Sequence, residues 1–192
     1  TTDFIFSNAK NKVTELKSDA NVMSMISGSG FALEGNPVRS LYSLNFQGLN
    51  KEGLPTFINE KGELTVTDIN FQERENKSHL VYEGSTDPTI TGSFGNIFSY
   101  KGFKLNVFMT YSFGNVIRLD PVFHNAYSDL DATPREFKNR WTVAGDEKIT
   151  TVPVIADLRQ NTMNSYLNKA YNAYNYSTER IAKGDFISMK EI

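Results

Sequence analysis

The run Phe103-Lys104-Leu105-Asn106-Val107-Phe108-Met109-Thr110-Tyr111-Ser112-Phe113 decides how this chain folds. Its odd positions are all apolar or Tyr, and its even positions, Phe108 apart, are polar. A period of two sends successive side chains to opposite faces, so the run predicts a strand with one greasy and one wet side. Residues 89–100 read as its partner strand. Lys101-Gly102 reads as a two-residue turn in which Gly102 supplies the positive φ. Eleven residues at ~3.3 Å each span ~36 Å, or ~25 Å when tilted by ~45°, the height of the apolar band of a membrane barrel. Phe98, Tyr100 and Phe103 lie near the turn and Tyr111 and Phe113 beyond the aliphatic middle, where a barrel carries its two aromatic rows. A hairpin of a soluble sandwich uses the same alternation, though its strands usually stop at ~5–6 residues. On this pattern alone both architectures stay open.

Composition narrows the functional classes. The 192 residues include 20 Lys or Arg and 22 Asp or Glu, a net charge of -2 with no basic run, so no nucleic-acid partner is expected. The absence of Cys excludes disulfides and thiolate chemistry within the chain. Many large rings (14 Phe, 9 Tyr, 1 Trp) in a sequence of mean hydropathy -0.40 suit strands with one apolar and one wet face. No segment approaches the ~18 consecutive apolar residues of a membrane helix, which leaves strands as the only way to cross a bilayer. The chain opens on Thr1-Thr2-Asp3 and closes on Phe186-Ile187-Ser188-Met189-Lys190-Glu191-Ile192, and both ends are expected to be cuts through a longer polypeptide.

Outward from the hairpin, residues 3–16 read as a strand running into a polar tip, and 17–36, with Gly28, Gly30 and Gly35, as a loop. Residues 38–49 alternate as a second strand. Turns at 51–55 and 59–63 flank the short Thr56-Phe57-Ile58, and 64–83 carry a weak, mixed signal. The second strand of the hairpin is expected to extend to residue 118. Beyond it, 119–178 form a long polar excursion in which Thr133-Pro134-Arg135-Glu136 opens a short helix, with Thr as its cap and Pro at its first position. Excursions this long are unusual inside compact domains and normal on the outer side of a barrel.

Several stretches resemble one family in order along the chain. Gly84-Ser85-Thr86-Asp87-Pro88 with Gly92-Ser93-Phe94-Gly95-Asn96 is similar to the Gly-x-x-Asp-Pro-x-x-x-Gly-Gly-x-x-Asn pattern of SusC/RagA-type TonB-dependent transporters, with Ser93 in place of the second Gly. The hairpin to Phe113-Gly114-Asn115 resembles the penultimate hairpin region of that family. Arg140-Trp141-Thr142 with Gly145-Asp146 and Pro153 resembles a loop of it. Pro37-Val38-Arg39-Ser40-Leu41-Tyr42 and Gly53-Leu54-Pro55 resemble the strand and turn upstream, and Gly184-Asp185-Phe186-Ile187-Ser188-Met189-Lys190 the opening of a later strand. The resemblance covers about 37–192. It implies an all-β, antiparallel up-and-down segment of a transmembrane β-barrel, an open sheet here, with a long extracellular loop carrying a short helix. It also implies that residues 1–192 are a single partial domain from the C-terminal portion of the barrel. The implied parent sits in the outer membrane of a Gram-negative cell, in contact with its lipid. It imports oligosaccharides or peptides, works with a SusD-like surface lipoprotein and draws energy from TonB. The alternative is a soluble β-rich module that binds glycan or peptide without transport.

No enzymatic activity, cofactor or metal is expected. Asp129, Asp131, Asp146 and Glu147 are the carboxylates a glycosidase pair could draw on, but among 22 acidic residues such pairs arise on any solvated loop. His79 and His124 are the only His, with no Gly-x-Ser-x-Gly elbow to suggest a serine triad. Asp129-x-Asp131-x-Thr133 has calcium-loop spacing without the Gly and the distal Glu such a loop needs, and reads as a helix cap. Arg140 and Trp141 are candidate contacts to ligand or partner, since Arg and aromatic groups dominate binding hot spots; the competing role for Trp141 is to pin its loop. Tyr171 and Tyr174, in a Tyr-rich run that also holds Tyr166 and Tyr176, either face a ligand or partner or pack within the loop.

Overall fold

The computed structural model describes residues 1–17, 19–123, 134–155 and 166–191. The chain is mostly β, with 38% strand and 15% helix, its sheets antiparallel and none of them closed. In chain order the elements are β1 (Thr2–Asn8), α1 (Val22–Ile26), β2 (Ser40–Leu44), β3 (Phe46–Leu49), β4 (Pro55–Ile58), β5 (Leu64–Thr65), β6 (Leu80–Ser85), β7 (Ile90–Tyr100), β8 (Phe103–Phe113), β9 (Val116–Arg118), α2 (Tyr166–Asn175), β10 (Ile181–Lys183) and β11 (Phe186–Glu191). Single 3-10 turns cover Arg135–Asn139, Asp146–Lys148 and Thr178–Arg180.

The largest sheet runs β1-β7-β8-β11. The expected hairpin is present: Tyr100 pairs with Phe103 across the turn and Ile90 with Phe113 at the far end. Both turn residues have positive φ, Lys101 at 45° and Gly102 at 87°, the type I′ geometry whose twist matches the flanking strands. The two connections on the other side are very different. Residues 9–89 join β1 to β7 and residues 114–185 join β8 to β11, and both leave from the end opposite the turn, where Asn8 and Phe113 each pair with Ile90. The sheet thus has one tight end and one end carrying two long excursions.

Pairing register assigns the faces, because directly opposed residues in an antiparallel ladder share a side. Phe4, Phe94, Met109 and Met189 form one row, and Phe6, Gly92, Tyr111 and Ile187 the next; towards the turn come Phe98 with Leu105 and Tyr100 with Phe103. The opposite face is made of Ser93, Thr110 and Ser188, Thr91 and Ser112, Asn106, and Ser99 with Lys104, interrupted by Ile5, Ile97, Phe108 and Phe186. Nothing among the described residues covers the greasy face: Phe103 is 82% exposed and Phe4 65%. Tyr111 lies across Gly92, stacked between Phe4 and Phe113, and its hydroxyl donates to the Ile5 carbonyl at 2.9 Å. A Cβ at position 92 would overlap that ring, so the glycine is needed for close approach.

The hydrophobic core lies beyond the sheet, where the two excursions pack into one cap. Val22, Met25, Ile26, Tyr42, Leu44, Phe57 and Ile69 of the first excursion meet Val122, Phe137, Val152, Ala173 and Tyr174 of the second. This corrects four expectations. Residues 3–16 are a strand only as far as Asn8. Residues 38–49 are not one strand but two, β2 pairing with β6 and β3 with β4, and the break falls at Asn45. All five residues of β2 are buried, so both of its faces meet protein and the alternation carries no wet side. Residues 17–36 contain α1, capped by Asn21, whose side-chain oxygen accepts from the Ser24 N–H at 2.8 Å. Finally, the Tyr-rich part of the second excursion, read as loop, holds α2, while the short helix expected after Thr133 is present as the 3-10 turn Arg135–Asn139, with Pro134 at its cap position and Thr133 outside the described residues.

The strand expected to run to 118 is interrupted at Gly114 (φ 82°), whose N–H donates to the Asp185 carboxylate at 2.7 Å. Pairing resumes as β9 with β10. The two strands therefore carry the β8–β11 ladder up into the cap.

Candidate functional site

Arg140 and Trp141 sit on the segment 139–154, a loop fixed by its own acidic residues. Asp146 Oδ2 accepts from the Thr142 and Val143 N–H groups, each at 3.0 Å, and from the Thr142 hydroxyl at 2.9 Å. Glu147 Oε2 accepts from the Trp141 indole N–H at 3.1 Å and from the Gly145 N–H at 2.8 Å. The Trp141 N–H donates to the Val152 carbonyl at 2.9 Å, and the Val154 N–H to the Gly53 carbonyl at 2.9 Å. The indole lies flat on Gly53, whose φ of 76° and missing Cβ make the approach feasible; an added Cβ would stand 2.7 Å from Trp141 Cε3. Trp141 thus pins the second excursion to the turn before β4.

Arg140 stays at the surface. It lines an open cleft of about 480 Å³ together with Asn139, Asp146, Ile149, Thr150 and Val152. Its guanidinium rests 5.7 Å from the Phe137 ring centre, and Nη1 donates to the Phe137 carbonyl at 3.3 Å. This cleft can offer a positively charged planar group to an anionic or carbonyl-rich ligand.

Tyr171 and Tyr174 are core residues. Tyr174 is 1% exposed and meets Phe46 and Phe123 edge-on, each with ring centres 5.6 Å apart. Burial pushes its hydroxyl well above the ordinary phenol value. Tyr171 donates to the Val154 carbonyl at 2.8 Å and packs with Leu167. A ligand cannot reach either ring without opening the cap, so the packing role is the one the geometry supports. Tyr166 opens α2, and Tyr176 stacks under Arg118 at 5.4 Å. The four candidates therefore form no single constellation.

The carboxylates considered for catalysis are otherwise engaged or lie elsewhere. Asp146 and Glu147 serve as loop caps. Asp129, Asp131, Thr133 and His124 lie outside the described residues. His79 is buried, which lowers its pKa from the usual value. Among the described residues no group of His, Asp and Glu comes together in a way that could hold a metal.

The loop caps make a pH-dependent prediction. The Val143 and Thr142 N–H groups hold the Asp146 carboxyl below its ordinary range, and the Glu147 N–H, the Trp141 indole and the Gly145 N–H do the same for Glu147. A carboxyl depressed in the folded state stabilises it above the unfolded pKa and loses that contribution as pH falls through the folded one. Trp141 is the sole Trp of the chain, so its emission reports this loop. It should stay constant down to about pH 4 and change below it. The double variant Asp146→Asn/Glu147→Gln should lack that transition; a wild-type change centred near neutral pH would contradict this account of the loop.

No family model and no curated protein matches the chain. Five chains of solved structures do. One is that of the RagAB peptide transporter. It superposes with a TM-score of 0.53 at 19% sequence identity, over 86% of this chain. This chain spans 17% of the length of the RagAB chain it matches, and at that identity the likeness to RagAB is one of fold.

A second cleft went unnoticed in the sequence. About 350 Å³ of space opens where β1, β7 and β8 leave the sheet, lined by Lys10, Asn11, Tyr82, Ser85, Asp87 and Thr89 among others. Asp87 pairs with Arg39 at 2.9 Å, and its N–H donates to Ser85 Oγ at 3.1 Å. The signal was the Gly84-to-Pro88 stretch, which reads as a motif but gives no hint that Lys10 comes beside it.

Proposed function

We propose that this chain is part of the wall and outer cap of an outer-membrane TonB-dependent importer of the SusC/RagA type, a single partial domain of its C-terminal barrel region. The observation that carries the proposal is the asymmetry of the main sheet. One end closes with Lys101-Gly102, the other end bears two long excursions, and one face is a band of uncovered aromatic and aliphatic side chains. In a barrel the band faces lipid, the short turn faces the periplasm and the excursions face outward. The fold likeness to RagAB supports the same reading. On it, the transported substrate is an oligosaccharide or peptide, the partner over the cap is a SusD-like lipoprotein, and TonB engages other parts of the protein. Arg140 is the cap residue best placed to touch either ligand or partner, with Trp141 holding its loop.

Cell fractionation tests this. The protein should remain with the outer membrane through an alkaline wash, require detergent for release and bring a surface lipoprotein with it. Recovery in the soluble periplasmic fraction would overturn the proposal.

A further inference from the structure

We propose that the cleft where β1, β7 and β8 leave the sheet is a binding site for a sugar acid, a ring of hydroxyl groups that carries one carboxylate. The site goes beyond the transport reading and stands whether or not the sheet crosses a membrane. At about 350 Å³ the cleft lies at the small end of the range for small-molecule sites. Residues far apart in sequence converge on it, from 9–11 beyond β1, from 82–89 and from Gly114.

The fold holds the polar groups of this cleft in place and leaves each able to serve a ligand. Asn11 Oδ1 accepts from the Val38 N–H at 2.8 Å, so the Asn11 amide group remains to donate. Buried Ser85 accepts from the Asp87 N–H at 3.1 Å through Oγ and keeps its own hydroxyl proton. Thr89 is fixed through its backbone: its carbonyl accepts from the Ala9 N–H at 3.0 Å, and its N–H donates to the Phe113 carbonyl at 3.1 Å. Tyr82 rests on buried Tyr42, with ring centres 5.8 Å apart, yet stays 44% exposed. An aromatic face of this kind packs against the C–H face of a sugar ring, while the amide and hydroxyls meet its polar edge.

Charge selects an acid over a neutral sugar. Arg39 neutralises Asp87 at 2.9 Å. Asp185 accepts from the Gly114 N–H but does not line the cleft. Lys10 is the other charged residue of the lining; it is exposed, and it pairs with no carboxylate among the described residues. One ammonium matches the single charge of a carboxylate, whereas a phosphate brings nearly two charges and an amine would be repelled.

Ligand-observed NMR titrations of the purified protein with D-glucuronate, D-glucose and acetate test this. Glucuronate should bind most tightly, since glucose lacks the charge and acetate lacks the hydroxyls. Lys10→Gln should weaken glucuronate by about tenfold, to the level of glucose, and leave glucose unchanged. Lys12→Gln, close by but outside the cleft, should alter neither. Glucuronate binding no better than glucose or acetate, no binding at all, or equal losses from the Lys10 and Lys12 changes would overturn the proposal.

Discussion

Val107→Arg should cost about 2–4 kcal/mol and sharply reduce the yield of folded protein in the membrane, if this position lies near the bilayer midplane. Val107 sits in the middle of β8 on the greasy face, opposite Asn96. Its guanidinium would have to enter hydrocarbon or distort the lipid around it. The neighbouring change Asn106→Arg should be tolerated far better. Asn106 is on the other face, where its amide already donates to Glu191 Oε2 at 3.1 Å, and an arginine there gains an opposite charge within reach. Heat-modifiable mobility of the folded protein on gels measures the yield of each. Equal loss from both substitutions would contradict the assignment of faces.

A second large effect is expected in the cap. Arg180 is 3% exposed, pairs with Glu136 through Nη1 and donates through Nη2 to the Asp120 carbonyl at 2.6 Å. It also stands beside the Tyr174 hydroxyl. It therefore joins the segment that opens at Pro134 to the start of β10. Arg180→Ala removes the cation, leaves the Asp120 carbonyl short of a donor and opens a cavity beside Tyr174. Loss of one partner of a buried pair costs roughly 3–5 kcal/mol. Glu136 is half-exposed and can rehydrate, which favours the lower end, about 3 kcal/mol. Denaturant unfolding followed by Trp141 emission should show the loss, and an unchanged midpoint would contradict it.

The contrast between these two regions explains what the sequence could reveal. The β7–β8 hairpin was legible because its eleven-residue strands each have one face that no second layer covers among the described residues, so hydrophobicity follows the pleat. Residues 38–49 show a similar alternation for another reason. Their elements are short, β2 is buried on both sides by non-local packing and β3 only partly, and nothing local marks the break between them. α1 has only five residues, and Asn21 with Ser24 was its one local mark. The uncovered face was foreseeable, whereas a core shared by two excursions far apart in sequence was not.

Within the site, Trp141 was legible through Arg140-Trp141-Thr142, and so was its role as a pin. Tyr171 and Tyr174 carried a readable signal of a different kind. Leu167, Ala170, Tyr171 and Tyr174 follow the i, i+3, i+4, i+7 spacing of a buried helix face, and all four are buried on α2. Their aromatic character drew attention to binding, and the spacing pointed to the core.

Spin labels on single cysteines along 103–113 test the central claim most directly, and the chain has no cysteine of its own to interfere. With the protein in lipid bilayers, collisions with oxygen report exposure to hydrocarbon and collisions with a water-soluble nickel chelate report exposure to water. Positions 105, 107 and 109 should be open to oxygen and closed to nickel, and 104, 106 and 110 the reverse. Odd positions shielded from both reagents would mean that the greasy face is packed against protein, and would contradict a sheet that crosses the membrane.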